Sequence, residues 1–136
     1  MMTLHPYLIM NGQAREALAF YTQALGIEHS EIKTYENSPI PHSQEQKEWV
    51  MHAELIFKKQ TIIMIADSSD IPLNDNPNIH LSLNYTDLES MKSAFAKLSE
   101  GGKIIQDLAL QHWNATFGRL TDKYGLHWMM NCDHSN

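Results

Sequence analysis

The sequence predicts an α+β protein of two tandem βαβββ modules whose curved mixed sheets enclose a cavity. Three observations carry this reading. Helical periodicity occurs twice, over 13–25 and 87–100; a glycine follows each helix, at Gly26 and Gly101; and apolar runs flank a tight turn in each half, Lys58-Lys59 in the first and Asp122 to Gly125 in the second. An antiparallel sheet buries one face under its helix and leaves the other open, so two such modules side by side can close a cavity.

The first strand is expected over 3–10, with Pro6 near its start, where a missing N–H costs the ladder least. Asn11-Gly12 breaks it. Over 13–25, Ala14, Ala17, Leu18, Tyr21 and Leu25 recur at helical spacing, and Gly26 stands where a left-handed terminator is needed. A second strand is expected over 27–35. A loop over 36–48 follows, marked by Pro39, Pro41 and a polar run ending at Glu48. Strands over 49–57 and 60–66 form a hairpin about Lys58-Lys59. The stretch over 67–77, rich in Ser, Asp, Asn and Pro, reads as a linker. A single domain over 1–136 therefore holds module one at 3–66 and module two at 78–131. Module two repeats the order with a strand over 78–85, the helix over 87–100, a strand over 103–108 and two strands about the 122–125 turn. Thr86-Asp87-Leu88-Glu89 reads as a capping box, Leu88, Met91, Phe95 and Leu98 as the buried stripe, and Gly101-Gly102 as the stop.

At 136 residues, 43% hydrophobic and 19% charged, the chain is long enough to bury a core without disulfide or metal staples. A net charge of -6, with no Lys/Arg cluster to offset it, excludes the phosphate attraction on which nucleic-acid binders rely. The longest apolar stretch, Thr61 to Ala66, falls far short of the roughly 20 residues that cross a bilayer. Met1 to Met10 lacks a signal-peptide pattern. No membrane partner and a cytoplasmic location are expected. Cys132, the sole cysteine, forms no intrachain disulfide and is expected to be a plain buried or semi-buried thiol.

The duplication, together with Pro6-Tyr7-Leu8, Asn11-Gly12, the run from Glu16 to Tyr21, Met51 to Leu55 and the run from Phe117 to Asn131, resembles the PhnB-like family of the vicinal-oxygen-chelate superfamily, also labelled demethylubiquinone-methyltransferase-like. The likeness covers nearly the whole chain. It implies the glyoxalase/bleomycin resistance/dioxygenase fold and a homodimer. That superfamily includes glyoxalases, ring-cleaving dioxygenases, fosfomycin-modifying enzymes and bleomycin-binding proteins, so function has to be read from the site. Its metal-using members take ligands from the first and last strands of both modules, His and Glu side chains that bind a divalent ion and leave room for two substrate oxygens. The methyltransferase label has no support in the residues themselves: no glycine-rich turn leads from a strand into a helix, and Gly101-Gly102 follows a helix.

Carried onto this sequence, the four ligand positions fall on Pro6, or on His5 after a one-residue register slip, and on Met64, His80 and Met129. These supply no carboxylate and at most two imidazoles, a poor set for a hard divalent ion. Two thioethers and a histidine suit Cu(I), but methionine is also a common filler of apolar gaps. Ser82 and Asn84 share the face of His80 by alternation, which makes that face a polar cavity wall. Trp113 and Phe117 are expected on one strand face, with Ala115 between them, either walling a ligand pocket or packing under the helix. His52 and Glu54 stand at i and i+2 on one strand face, a spacing that serves a base and its orienting carboxylate or a simple cavity-rim pair. His112 and His127 match no ligand position, and His29, His42 and His134 fall in or near loops or the terminus.

The leading expectation is a homodimeric small-molecule-binding protein with no competent divalent-metal site and no other cofactor. Its ligand would lie near His80, Ser82, Met64, Met129, Trp113 and Phe117. The alternative is a metal-dependent lyase, dioxygenase or transferase that uses His80 with ligands recruited from His5, His52 and Glu54. A third reading is a structural or interaction protein whose cavity is packed shut by methionine side chains.

Overall fold

Alternating burial sets the first strand: β1 (Tyr7–Met10) turns Leu8 and Met10 inward and Tyr7 outward. The computed structural model describes residues 1–70 and 77–135. It divides the chain into two units, 1–73 and 74–136, with the boundary inside the predicted linker. The part of that linker over 71–76 lies outside the described residues.

In the first unit, α1 (Ala14–Leu25) buries Ala14, Ala17, Leu18, Tyr21 and Ala24 and ends at Gly26, whose φ of 66° is the left-handed geometry expected of a terminator. After β2 (Glu28–His29) and β3 (Lys33–Thr34), the hairpin β4 (Val50–Phe57) and β5 (Gln60–Asp67) completes a sheet of order β1-β5-β4-β2, with β3 also on β4. β1 runs parallel to β5 and the other pairs are antiparallel. Leu8, Ala53, Leu55, Ile63 and Ile65 form the face under α1.

Several boundaries move from their predicted places. The first strand starts at Tyr7 rather than residue 3, because Pro6 has no N–H; its carbonyl instead accepts from Met64 N–H at 3.0 Å. The strand over 27–35 is two short pieces. Between them, Ser30 N–H donates to the Glu54 carbonyl at 2.8 Å, while Ser30 Oγ accepts from Glu54 N–H at 2.9 Å, so a side chain takes the place of a ladder carbonyl. The 36–48 loop contains a 3-10 turn at Gln44–Gln46, closed by a box between Ser43 and Gln46, and another at Tyr35–Asn37 spans its start.

Asp67, assigned to the linker, is the buried last residue of β5. Gln13 offers α1 no side-chain cap. Asp67 does so from across the sheet: its Oδ1 accepts from Ala14 N–H at 2.9 Å and its Oδ2 from Val50 N–H at 3.0 Å. Its own carbonyl accepts from the Tyr35 hydroxyl at 2.7 Å.

The second unit orders its sheet β6-β9-β8-β7, with β6 (Leu81–Tyr85) parallel to β9 (His127–Asp133) and β8 (Ala115–Thr121) antiparallel to both β9 and β7 (Lys103–Leu110). α2 (Leu88–Leu98) buries Met91, Ala94, Phe95 and Leu98, whereas Leu88 is only half-buried. The capping residue is Asp87, one place beyond the expected Thr86: extended at φ −113°, it accepts from Ser90 N–H at 3.1 Å. Glu89 faces Lys92 instead. The strand expected over 78–85 begins at Leu81, which leaves His80 just before it. Trp113 sits in a turn before β8, where Asn114 takes φ 59°. Asp122 is buried in the β8-β9 turn. Its carboxylate accepts from the N–H groups of Tyr124 and Leu126 and, at 2.8 Å, from the Trp128 indole.

Asp67→Ala strips two buried N–H groups of their acceptor, at about 1–3 kcal/mol each; urea unfolding of the full chain should show that loss. Lys58 and Lys59 hold φ of 50° and 66° in the β4-β5 turn. Lys59→Gly should therefore raise stability by about 1 kcal/mol in the same measurement.

Candidate functional site

Each sheet has a second face, and on both it carries polar and titratable side chains in rows set by the pairing. In unit one, the register Tyr7↔Met64↔Glu54 puts these three side chains in one row across β1, β5 and β4. His52, two residues before Glu54, joins them. The Tyr7 hydroxyl lies 2.8 Å from His52 Nδ1, His52 Nε2 lies 2.8 Å from Glu54 Oε2, and Thr61 Oγ1 donates to Glu54 Oε1 at 2.5 Å. A carboxylate only accepts, so Nε2 carries a proton; on a neutral ring Nδ1 then accepts from Tyr7. Hydrogen bonds from Thr61 and His52, with smaller help from the charges of His52 and His5, hold the Glu54 carboxyl below its ordinary value against partial burial. Burial, followed by Tyr35 and Glu54, raises the Tyr7 phenol.

In unit two, the row Ser82↔Met129↔Arg119 crosses the centre of the open face. On one side lie Asn84, Asn131 and Phe117, and on the other His127 and Thr121. Trp113 closes over the first group: its indole N–H donates to Asn131 Oδ1 at 3.3 Å, and its ring meets Phe117 edge-on at 5.8 Å. His80 stacks at 5.2 Å from His127, whose Nδ1 lies 2.9 Å from Thr121 Oγ1. Partial burial, then the charges of His127 and Arg119, push His80 below its ordinary 6.5. Arg119 is half-buried, and its guanidinium makes no hydrogen bond or ion pair with any described residue.

The candidates thus fall into two groups: His5, His52, Glu54 and Met64 in unit one, and His80, Ser82, Met129, Trp113 and Phe117 in unit two. Aligning the two parallel pairs makes Met64 answer Met129 and Tyr7 answer Ser82. Two residues earlier, outside both paired stretches, His5 stands at the position that answers His80. Trp113 and Phe117 lie on the open face and not under α2; Gly118, the next residue, is the one that faces Phe95. Sequence reasoning missed Tyr7, Thr61, Asn131 and Arg119 and discounted His127. For the last two the signal was present: strand alternation joins Arg119 to Phe117 and His127 to Met129. His112 is exposed and touches only the edge of Trp113 among the aromatic contacts of the described residues. Among the described residues no three His, Cys, Asp or Glu side chains are grouped to hold a metal ion.

Two βαβββ units, each with one helix under a mixed sheet and a polar open face, define a protein of the glyoxalase/bleomycin resistance fold class. The chain belongs to the PhnB-like family described as 3-demethylubiquinone-9 3-methyltransferase, whose model matches residues 2–131. It is 33% identical to protein PA1353 from Pseudomonas aeruginosa, with 98% of each chain covered and a TM-score of 0.85. It is 29% identical to protein YjdN of Escherichia coli K12, over 96% of this chain and 95% of that one. A Bacillus cereus PhnB protein, titled a putative 3-demethylubiquinone-9 3-methyltransferase, is 27% identical over 96% of this chain and 99% of its own, with a TM-score of 0.80. At 11% identity and a TM-score of 0.66, the fosfomycin resistance protein FosX of Listeria monocytogenes shares the fold alone, over 100% of this chain and 94% of its own. No described helix is long and apolar enough to cross a membrane.

The depressed His80 has a measurable sign. As pH falls through 6.5 the unfolded chain takes up this proton before the folded one, so the folded state loses stability until His80 itself titrates. In ring-proton NMR the His80 midpoint should lie below 6.5, and Arg119→Met should raise it part of the way, since burial, the larger cause, remains. A midpoint at or above 6.5 would contradict the geometry.

Proposed function

We propose that the chain binds a small anionic molecule with a planar apolar portion through the open face of unit two, and does so without a divalent ion. The observation that carries this reading is Arg119. A guanidinium partly withdrawn from water is costly unless it meets a counter-charge, and its planar fork matches a carboxylate, a phosphate or a delocalised oxyanion. Its cross-strand neighbour Met129 offers an adaptable thioether surface, and Phe117 and Trp113 supply an aromatic wall. His80, held toward its neutral form, adds a donor or acceptor without a second fixed charge.

The donor set does not fit a hard divalent ion. The four positions that the superfamily resemblance implies, taken as His5, Met64, His80 and Met129, would supply two imidazoles and two thioethers with no oxygen among them. Recruiting His52 and Glu54 instead would break the bonds that occupy both imidazole nitrogens and both carboxylate oxygens. Methyl transfer, which the family description names, draws no support from Gly101-Gly102. A Cβ on Gly102 would lie 2.2 Å from the Thr121 carbonyl oxygen, so that glycine answers a packing demand. A homodimer belongs to the same proposal: β7 is an edge strand with Ile104, Ile105 and Leu110 at 44%, 47% and 68% exposure, a surface that a second copy would cover.

Quenching of Trp113 fluorescence by a panel of aromatic carboxylates and phosphates, read against Trp113→Phe, tests the ligand class. Arg119→Met should weaken binding by roughly 10- to 100-fold, the worth of a hydrogen bond to a charged group. Neutral isosteres that bind as tightly as the anions would overturn the reading, and silence across the panel would favour a face packed shut. Metal analysis of untagged, chelator-free protein should find no stoichiometric divalent ion that depends on His80. Light scattering at micromolar concentration should give twice the chain mass.

A further inference from the structure

We propose that unit one carries a second, acid–base site, in which Tyr7 exchanges a proton with a weakly acidic planar hydroxyl, a phenol or enol, bound on its open face. The basis is a chain of four side chains from three strands with one open end. Thr61 and His52 occupy the two oxygens of Glu54, Glu54 and Tyr7 occupy the two nitrogens of His52, and the side-chain contacts run from 2.5 to 2.8 Å. His52 and Glu54 are 28% exposed, whereas Tyr7, at the outer end, is 45% exposed and keeps a lone pair on its oxygen for a ligand. An ordinary surface ion pair has no reason to fix its imidazole at both nitrogens and its carboxylate at both oxygens. That arrangement sets a tautomer, with the proton on Nε2 and an accepting Nδ1 facing the phenol.

The step balances within the site. The ligand O–H bond breaks as its proton passes to the Tyr7 oxygen, and its electron pair stays on the ligand oxygen. The original Tyr7 proton moves to Nδ1. The products are a ligand anion and a His52 imidazolium paired with Glu54; the reverse transfer returns the ligand to neutrality. Tyr7 is the group that touches the ligand, His52 stores the proton, and Glu54 and Thr61 position the ring. Burial, followed by Tyr35 and Glu54, raises the Tyr7 phenol and so favours its protonated form, whose oxygen can still accept. Met64, between Tyr7 and Glu54 in the row, presents a thioether that favours an aromatic ring, and Lys33, the cross-strand partner of His52, adds positive charge for the anion formed.

The test uses the full chain with 4-nitrophenol, whose visible absorbance reports its ionisation. Saturable binding should lower its ionisation midpoint by about one pH unit, a tenfold shift toward the phenolate. Tyr7→Phe, which removes one exposed oxygen and should keep the native circular dichroism, and His52→Gln should each abolish that shift. Glu54→Gln and Thr61→Val should diminish it and move the His52 ring nitrogen resonances away from the Nε2-protonated tautomer, a change that a merely structural staple would not couple to the probe. The proposal fails if no saturable binding occurs, if bound nitrophenol ionises like the free probe, or if the shift survives both Tyr7→Phe and His52→Gln. Arg119→Met separates this site from the other face: a shift kept in that variant and lost in Tyr7→Phe belongs to the relay, and the opposite pattern assigns it to unit two and overturns the relay.

Discussion

A buried carboxylate from the end of β5 holds the first unit closed. Asp67 reaches the first N–H of α1 and the first N–H of β4, while its carbonyl takes the Tyr35 hydroxyl from the segment that follows β3. Helix, hairpin and connecting loop are therefore tied at one point. The helix needs it, because Gln13 supplies no cap and the amino end of a helix carries unpaired donors and partial positive charge. Asp122 works similarly in the second unit, fixing the β8-β9 turn and the indole of Trp128. Both carboxylates lie on the helix side of their sheets, where they leave the other face free of structural duty.

Strand alternation does the rest. Where Leu8, Ala53 and Ile65 are committed to α1, their neighbours Tyr7, Glu54 and Met64 have to point the other way. The same holds for Trp128 and Met130 against His127 and Met129. A half-buried polar face must then satisfy its own hydrogen bonds. In unit one it does so by linking Tyr7, His52, Glu54 and Thr61, and in unit two by pairing His127 with Thr121 and Trp113 with Asn131.

How much of this the sequence disclosed follows from the range of each interaction. α1 and its Gly26 terminator, and the hairpin about Lys58-Lys59, rest on signals within a few residues, and both formed where the pattern placed them. Thr86 and Asp87 are equally good caps, and only the extended backbone at Asp87 decides between them. Asp67 looked like linker because its partner Ala14 is 53 residues away, and Tyr7 was not among the candidate site residues because its partner His52 is 45 residues away. On the candidate faces, alternation foretold that His52 accompanies Glu54 and Ser82 accompanies His80. The parallel register that sets Tyr7 against Met64 and Ser82 against Met129 is something no local pattern encodes.

That register also exposes an inversion between the two units. Glu54 pairs with Met64, and Arg119 pairs with Met129, so a carboxylate and a guanidinium occupy answering positions beside answering methionines. Their situations differ as well as their signs. Glu54 has both oxygens taken by neighbours and is committed to orienting His52, whereas Arg119 retains its donors. The divalent-ion pattern that the superfamily resemblance implies would instead call for a carboxylate at the methionine positions. With thioethers there, the proposed occupant of the unit-two face is an anion that Arg119 can neutralise, and the proposed role of the carboxylate in unit one is to tune a proton carrier.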